Sequence, residues 1–595
     1  MPLSGPELPA LGGTGAADMV TLIRRTAATG ADMPAFTFVD YARDRRGVPS
    51  TLTYRQLDAR ARAAAAALLR HCAPGDRAAV LAPQGLDYLV GFLGCLYAGV
   101  IAVPLYAPEA YRSDERLHGI LRDSDPACLL TVGDSAEAVR EVGHRGQGRE
   151  LPIIRLDELP HAPGVGAAES MDDVPRIAPE ASAYLQYTSG STSSPRGVVV
   201  SHANLLAAAL QSSVRSQLVA EDVVVSWLPY FHDLGLITGV AMPLAVGAHA
   251  VHLSPTAFIQ RPYRWLELVT RYRGTWTAAP NFALDLCVRR VTGDQRAALR
   301  LDSLHTLCNG SEQVRPHSVL AFTEAFAPCG FTLNGHAPGY GLAEATLGVT
   351  TAPDGAVIRS YDRDAIADGK AVPCPADLPR AWGLVGCGTP LPGLAVAIAD
   401  PETGHEVPDG TVGEIWVSGP NVAGGYWRRP PETAEVFGAV LVTEDGRTTG
   451  PEWLRTGDLG FLHEGELFLT GRRKDLVIVD GRNHYPADIE ATVTDAVAAL
   501  ETAGVAAFAI EGDGGERLVV AVELRRAGRA RPVPARDEAV RAVRRAVSGH
   551  HGVEVAEVLF VRPGALPKTS SGKIRRRSCA TAHAEGTLHR DDLEW

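Results

Sequence analysis

The twelve residues from Tyr187 to Val198 read Tyr-Thr-Ser-Gly-Ser-Thr-Ser-Ser-Pro-Arg-Gly-Val, which sets small and hydroxylated side chains around two glycines. A backbone so thinly covered can wrap an anion closely and offer amide N–H groups and hydroxyls to phosphate oxygens. Glycine relieves the steric limits on such a wrap. Alone, a Ser/Thr/Gly run describes a flexible surface loop equally well. Four later segments decide for phosphate: Asn309-Gly310-Ser311-Glu312, Tyr340-Gly341-Leu342-Ala343-Glu344-Ala345-Thr346, Arg455-Thr456-Gly457-Asp458 and Leu566-Pro567-Lys568-Thr569-Ser570-Ser571-Gly572-Lys573.

The elements that must position these residues follow an α/β rhythm. The loop emerges from the strand-like run Tyr184-Leu185-Gln186-Tyr187, the end of a strand being where α/β folds place ligands. Upstream, 54–72 reads as an alanine-rich helix, 77–82 as a buried strand, Leu86–Ala98 as a helix and 100–105 as a strand. Segments 126–132 and 152–156 are further short strands. The pattern predicts parallel sheets covered by helices. Residues 88–106 carry no charge, a length that reaches a membrane span. Gly91, Gly94, Gly99 and Pro104 divide the stretch into a buried helix–strand pair instead. Composition shifts after Asp458, with a hairpin over 462–469, a polar turn at 471–475 and a new apolar strand over 476–479. Strands 503–510, 517–524 and Val555–Val561 with helix 537–550 make a small α+β unit, which sets the expected boundary at Lys474, between domains 1–473 and 474–595.

At 595 residues the chain exceeds one core. With 46% hydrophobic and 21% charged residues its composition is that of a globular protein. The net charge of -12 is spread along the chain, which argues against nucleic acid as the main partner. Nine scattered cysteines fit reduced thiols in a cytosol and form no zinc motif. Residues 1–15 lack a charged start followed by an apolar block, so a cytoplasmic protein with no membrane span is expected.

The five ordered segments resemble the adenylate-forming superfamily of acyl-CoA synthetases, peptide-synthetase adenylation domains and luciferases, over roughly 32–579. Within it the chain looks most like the fatty acyl-AMP ligases. Ser193-Ser194 replaces the usual Thr-Gly of the loop, and the segments Trp227-Leu228-Pro229-Tyr230-Phe231-His232-Asp233-Leu234-Gly235 and Gly481-Arg482-Asn483-His484-Tyr485-Pro486 point the same way. The resemblance implies ATP and Mg²⁺ as cofactors and a large N-terminal domain followed by a small mobile one.

Activating a carboxylate requires its oxygen to attack the α-phosphorus of ATP while pyrophosphate departs. Both reactants are anions, so the site must supply positive charge and alignment more than acid–base help. The resemblance implies phosphate contacts from Thr188, Ser189, Gly190, Ser191 and Thr192, and makes Glu344 the magnesium ligand, a hard carboxylate suited to it. Lys573 resembles the catalytic lysine that the small domain swings in, and Lys474 the hinge. Asp458 would accept the ribose hydroxyls, with Arg472 beside it on ribose or phosphate. Tyr340 would stack on adenine, followed by Gly341 and Leu342, with Gly310, Ser311 and Glu312 along the other face. The usual lysine of the loop is Arg196 here and stands outside the catalytic set.

Amino-acid-activating relatives place an aspartate after the aromatic residue to pair with an ammonium. Here His232 follows Phe231, so a fatty acid is expected, with His232 lining its tunnel and acting in catalysis. Gly239, Met242, Asn281 and Phe282 are candidates for the acyl pocket, plain core being the alternative. Glu344 and Gly386 lie 42 positions apart, about twice the interval in typical acyl-CoA synthetases. The surplus near 354–379 resembles the insertion thought to hinder CoA thioesterification, against the alternative of a surface loop of tolerated length. Ile478 stands where some CoA-using relatives keep a lysine, and the cationic run Arg575-Arg576-Arg577 could attract an acidic carrier. The expected acceptor is therefore the phosphopantetheine of a separate acyl carrier protein. A fatty acyl-CoA ligase and a non-catalytic acyl-AMP-binding protein are the rival readings.

Overall fold

The computed structural model describes residues 2–6, 18–108, 115–160, 175–188, 195–352, 354–450, 452–498, 500, 502–512, 515–524, 536–568 and 573–588. Three sheets and a fourth, smaller one carry the fold. The first has the strand order Ile153–Arg155, Cys128–Thr131, Arg77–Val80, Ile101–Pro104, Ser182–Tyr187, Gly197–Ser201. Its pairings are parallel up to Ser182–Tyr187 and antiparallel at the last strand. The second has nine strands with a parallel centre that includes Val223–Ser226, Trp276–Ala279, Thr306–Asn309 and His336–Gly341. Helices bury these parallel strands, as their continuous apolar runs require.

The uncharged segment found in the sequence is the helix Leu86–Ala98, deep in the main hydrophobic cluster, followed by the buried strand Ile101–Pro104, which is shared between that cluster and a second one. Among the described residues no helix is long and apolar enough to cross a membrane.

The third sheet departs from the expected parallel pattern. Ala395–Ala399, Gly413–Ser418, Trp453–His463 and Glu466–Arg472 pair antiparallel, with the last two forming the expected hairpin. Its turn places Glu464 at φ 53° and Gly465 at φ 78°, the pair of positive values that joins two right-twisted strands tightly. That register sets Asp458 directly across from Arg472.

Beyond Arg473–Asp475, a single 3₁₀ turn, the strands Thr502–Gly512, Gly515–Leu524 and Val555–Val561 form a three-stranded sheet. Helices Pro486–Ala496 and Arg536–His551 pack on it around a hydrophobic cluster of its own. The surplus segment is ordered rather than a loose loop. Ile358–Asp362 pairs with Ala381–Val385, and the short helix Arg363–Ala367 lies between them. Its Arg363 forms a two-pronged contact with Asp488, Nε to Oδ2 at 2.5 Å and Nη2 to Oδ1 at 3.1 Å.

Candidate functional site

A cavity of about 1530 Å³ opens where the second and third sheets meet the C-terminal three-stranded unit. Thr188, His232, Gly310, Ser311, Glu312, Tyr340, Gly341, Leu342, Glu344, Asp458, Arg472, Lys474 and Lys573 all line it. Residues nearly 400 positions apart in sequence thus share one space. Ser189, Gly190, Ser191 and Thr192 lie outside the described residues, as do 569–572 before the lysine.

Asp458 is buried and held by two donors. The Tyr340 hydroxyl donates to its Oδ2 at 2.9 Å, and Arg472 Nε donates to its Oδ1 at 2.8 Å. The Tyr340 hydroxyl is thus engaged with Asp458, a contact absent from the sequence expectation, which had considered only the ring. A carboxylate has about four lone-pair sites, so both oxygens keep capacity for a ligand's hydroxyls. The neighbouring Asp458 carboxylate holds Arg472 above even the usual guanidinium range, against the effect of burial.

Glu344 ends the strand His336–Gly341 in a tight 3₁₀ turn. A Cβ on Gly341 would stand 1.9 Å from the Leu347 carbonyl oxygen, so only glycine lets the returning chain come so close. Thr346 takes φ 60° and ψ -45°, which a β-branched residue adopts only under outside restraint. Asn421 supplies that restraint: its carbonyl accepts from Thr346 Oγ1 at 2.7 Å and its Nδ2 donates to the Ala345 and Gly348 carbonyls at 2.9 and 2.7 Å. Tyr426 donates its hydroxyl to Glu344 Oε1 at 2.8 Å. Burial raises the Glu344 carboxyl above the usual carboxylate range, with the Tyr426 hydrogen bond pulling the other way. Asn421 and Tyr426 are site residues the sequence reasoning missed, since neither falls in a recognisable motif.

Among the described residues no group of three His, Cys, Asp or Glu side chains could hold a metal by itself. A single half-buried carboxylate facing the cavity fits Mg²⁺, since that ion keeps several waters and takes one or two carboxylates plus substrate phosphates.

Lys573 reaches the cavity from the C-terminal unit. Burial, and then the Arg472 guanidinium, push its ammonium below the usual lysine range, while Asp233, Glu312 and Asp458 pull it back. Opposite stands His232, which caps the turn Asp233–Leu236. Its Nδ1 lies 2.6 Å from Asp233 Oδ1, and that same oxygen accepts the Leu234 N–H at 2.7 Å. A Cβ on Gly235 would meet the Pro229 carbonyl at 2.1 Å, so glycine allows the turn to close against the preceding strand end.

The chain then winds one π turn, Ile237–Ala241, before Met242–Val246. Met242 and Phe282 line the cavity, but Gly239 and Asn281 do not. Gly239 faces backward: its carbonyl lies 3.0 Å from His252 Nε2, whose Nδ1 meets the Tyr230 hydroxyl at 2.5 Å. Asn281 is a clip behind the wall. Its backbone N–H donates to Glu312 Oε1, its Nδ2 to the Gln313 carbonyl, and its Oδ1 accepts the Arg315 N–H. It fixes the loop that follows Gly310 and Ser311, so its place in the expected acyl wall is corrected to a support of that loop.

A pre-organised carboxylate–arginine–tyrosine group, an acidic side chain, a half-buried lysine and an apolar recess suit phosphoryl chemistry on a carboxylate held beside a nucleotide. Comparison with known proteins agrees with this geometry. Residues 23–427 match the AMP-binding enzyme model, and residues 474–592 match the AMP domain of Disco-interacting protein 2-like proteins. A long-chain-fatty-acid–AMP ligase of Mycobacterium marinum is 42% identical over 588 residues, covering 96% of this chain and 98% of that protein. A putative fatty-acid–CoA ligase of Mycobacterium tuberculosis is 42% identical over 572 residues, covering 94% and 97%. The crystal structure of a fatty acyl-adenylate ligase from Legionella pneumophila, in complex with acyl adenylate and pyrophosphate, superposes with a TM-score of 0.73 at 34% identity, covering 97% of each chain.

Proposed function

The chain belongs to the AMP-binding enzymes, among them to the fatty acyl-AMP ligases, and on that premise we propose how its residues carry out the reaction. The enzyme activates a fatty acid with ATP to acyl-AMP and releases pyrophosphate. The observation that carries the assignment of roles is the meeting of Asp458, Arg472, Glu344, His232 and Lys573 in one cavity.

In the proposed reaction Asp458 accepts the ribose hydroxyls while Tyr340 and Arg472 keep its oxygens oriented. Thr188 to Thr192 wrap the outgoing phosphates. Lys573 holds the attacking carboxylate and meets the charge growing at the α-phosphorus, contacts of a kind that carry about 10²–10³ in rate. Glu344 would hold Mg²⁺, which would supply neutralisation of phosphate charge. Met242 and Phe282 receive the acyl chain from the apolar side.

We infer two domains, 1–473 and 474–595, turning about Lys474. The acyl group then passes to the phosphopantetheine thiol of a separate carrier protein in the cytoplasm. CoA carries the same thiol arm, so access and protein contacts must decide between them. The contact of Arg363 with Asp488 supports restricted access, because it ties the surplus segment to the C-terminal unit. A CoA ligase is the second reading, favoured by the name of the Mycobacterium tuberculosis relative.

The test is mass spectrometry of fatty acids incubated with ATP and Mg²⁺, followed by addition of CoA or of a phosphopantetheinylated carrier. Acyl-AMP followed by acyl-carrier is expected, and robust acyl-CoA formation would establish the second reading.

A further inference from the structure

The pair His232–Asp233 has a geometry that the formation of acyl-AMP does not use. Adenylation moves no proton, since a carboxylate attacks and pyrophosphate leaves. Yet the imidazole is held as a base is held. Its backbone N–H reaches the Pro229 carbonyl at 3.2 Å, its carbonyl accepts the Leu236 N–H at 2.9 Å, and its Nδ1 lies 2.6 Å from the Asp233 carboxylate. The Leu234 N–H is shared, at 2.7 Å from Asp233 Oδ1 and at a longer 3.3 Å from His232 Nδ1, and the closer 2.6 Å approach of Nδ1 to the carboxylate is the contact that places a proton on Nδ1. Nε2 then keeps its lone pair, and the ring belongs to the wall of the cavity. Nucleophile-activating histidines are oriented in this way, a carboxylate fixing one nitrogen so that the other is free to take a proton.

We propose that His232, held by Asp233, is the general base that takes the proton from the acceptor thiol when the acyl group leaves AMP. The inference rests on thiol transfer as the second half-reaction. The thiol S–H bond breaks and its proton passes to His232 Nε2. The sulfur electron pair forms the C–S bond at the acyl carbonyl carbon, and the C–O bond to AMP breaks with its electrons staying on the phosphate oxygen. The imidazolium, paired with Asp233, later returns its proton to water. No oxidant or reductant is involved.

Besides His232, the charged group that acts on Asp233 is Lys573, which is itself under the influence of Arg472, Glu312 and Asp458. His232 first, and then Lys573, hold the Asp233 carboxyl below the usual carboxylate range against its burial. While Lys573 is docked, the carboxylate is shared between lysine and histidine. Asp233 acts through His232 and is a positioning residue.

The test uses full-length protein loaded with acyl-adenylate and mixed, in single turnover, with pantetheine or with an aryl thiol. An alkyl thiol is mostly protonated at neutral pH, whereas an aryl thiol is already ionised and needs no base. His232→Gln is expected to slow transfer to pantetheine by ~10²-fold but to the aryl thiol by less than ~5-fold. Asp233→Asn is expected to show the same pattern with a ~10-fold loss. Rates are normalised to adenylate bound, so a misfolded fraction drops out. Equal losses with the two thiols overturn the inference alone. Wild-type protein that transfers to neither thiol, while hydroxylamine still traps its acyl-adenylate, overturns the transfer reading and the inference together.

Discussion

Two arginines tie down the C-terminal unit, and their surroundings differ in a way that separates a latch from a rivet. Arg363 reaches in from the surplus segment to Asp488 on the helix Pro486–Ala496. Arg576 stays within the unit and its linker, gripping both oxygens of Glu490 at 2.8 Å and Asp475 at 3.1 Å. Burial holds the Asp488 carboxyl above the usual carboxylate range despite Arg363, so this pairing recovers only part of what desolvation costs. Arg576, with two carboxylates, is held above the usual guanidinium range against its burial. If the C-terminal unit turns about Lys474 as proposed, the contact that opens should be the marginal one. The well-compensated one should then stay with the C-terminal unit, in which Arg576 lies three residues beyond Lys573.

The sharpest test of this contrast begins with the lysine itself. Lys573→Ala is expected to lower adenylation by ~10²-fold or more in pyrophosphate exchange, with ATP still bound. Arg576→Ala should come next. It leaves Glu490 and Asp475 facing each other without a cation, and breaking such a pair costs about 3–5 kcal/mol. The prediction is a lower melting temperature together with a ~10-fold loss of adenylation through a misplaced Lys573. Unchanged exchange in that variant would mean that the arginine does nothing for the lysine.

Arg363→Ala should keep adenylation and raise acyl-CoA formation, by ~5-fold if the latch costs about 1 kcal/mol to open. Its stability carries a pH signature. Asp488 already binds its proton more tightly folded than unfolded, and more so without Arg363. The folded state therefore gains relative to the unfolded one as pH falls, and loses as pH rises through the folded value. The deficit of the variant in thermal melts should shrink as pH is lowered from neutrality. A deficit that grows on acidification would show that Asp488 is stabilised ionised.

The smallest expected effect concerns the alkaline side. Lys573 is held below the usual lysine range, so adenylation should fall with rising pH earlier than for an ordinary lysine. Arg472→Gln removes the second of the two causes and should move that limb to higher pH in a pH–rate profile, beneath its larger effect on nucleotide binding.

Much of this arrangement is legible in the sequence because it is local. The helix Leu86–Ala98 and the strand Val555–Val561 match their expected bounds, since apolar runs ended by glycine or proline need no tertiary information. Glycine-rich turns next to Glu344 and Asp458 announce themselves for the same reason. Of the antiparallel sheet over 395–472 only the hairpin is legible in the sequence: the other strands lie in a Gly- and Pro-punctuated stretch whose partners are set by pairing across the sheet. The latch was invisible because Arg363 and Asp488 are 125 positions apart and neither belongs to a motif. Asn281 misled because an apolar helix start beside a ligand pocket looks alike whether it faces the cavity or braces the loop behind it.

The single π turn Ile237–Ala241 carries a consequence for how this cavity can change its reach. Each residue of an α-helix advances the chain by about 100°, so the extra residue housed in the π turn sets the phase of everything after it. Deleting one residue would rewind the segment to α and rotate Met242 and its successors by about that angle. The shape of the cavity wall at Met242 is then set by a count as well as by the bulk of the side chains.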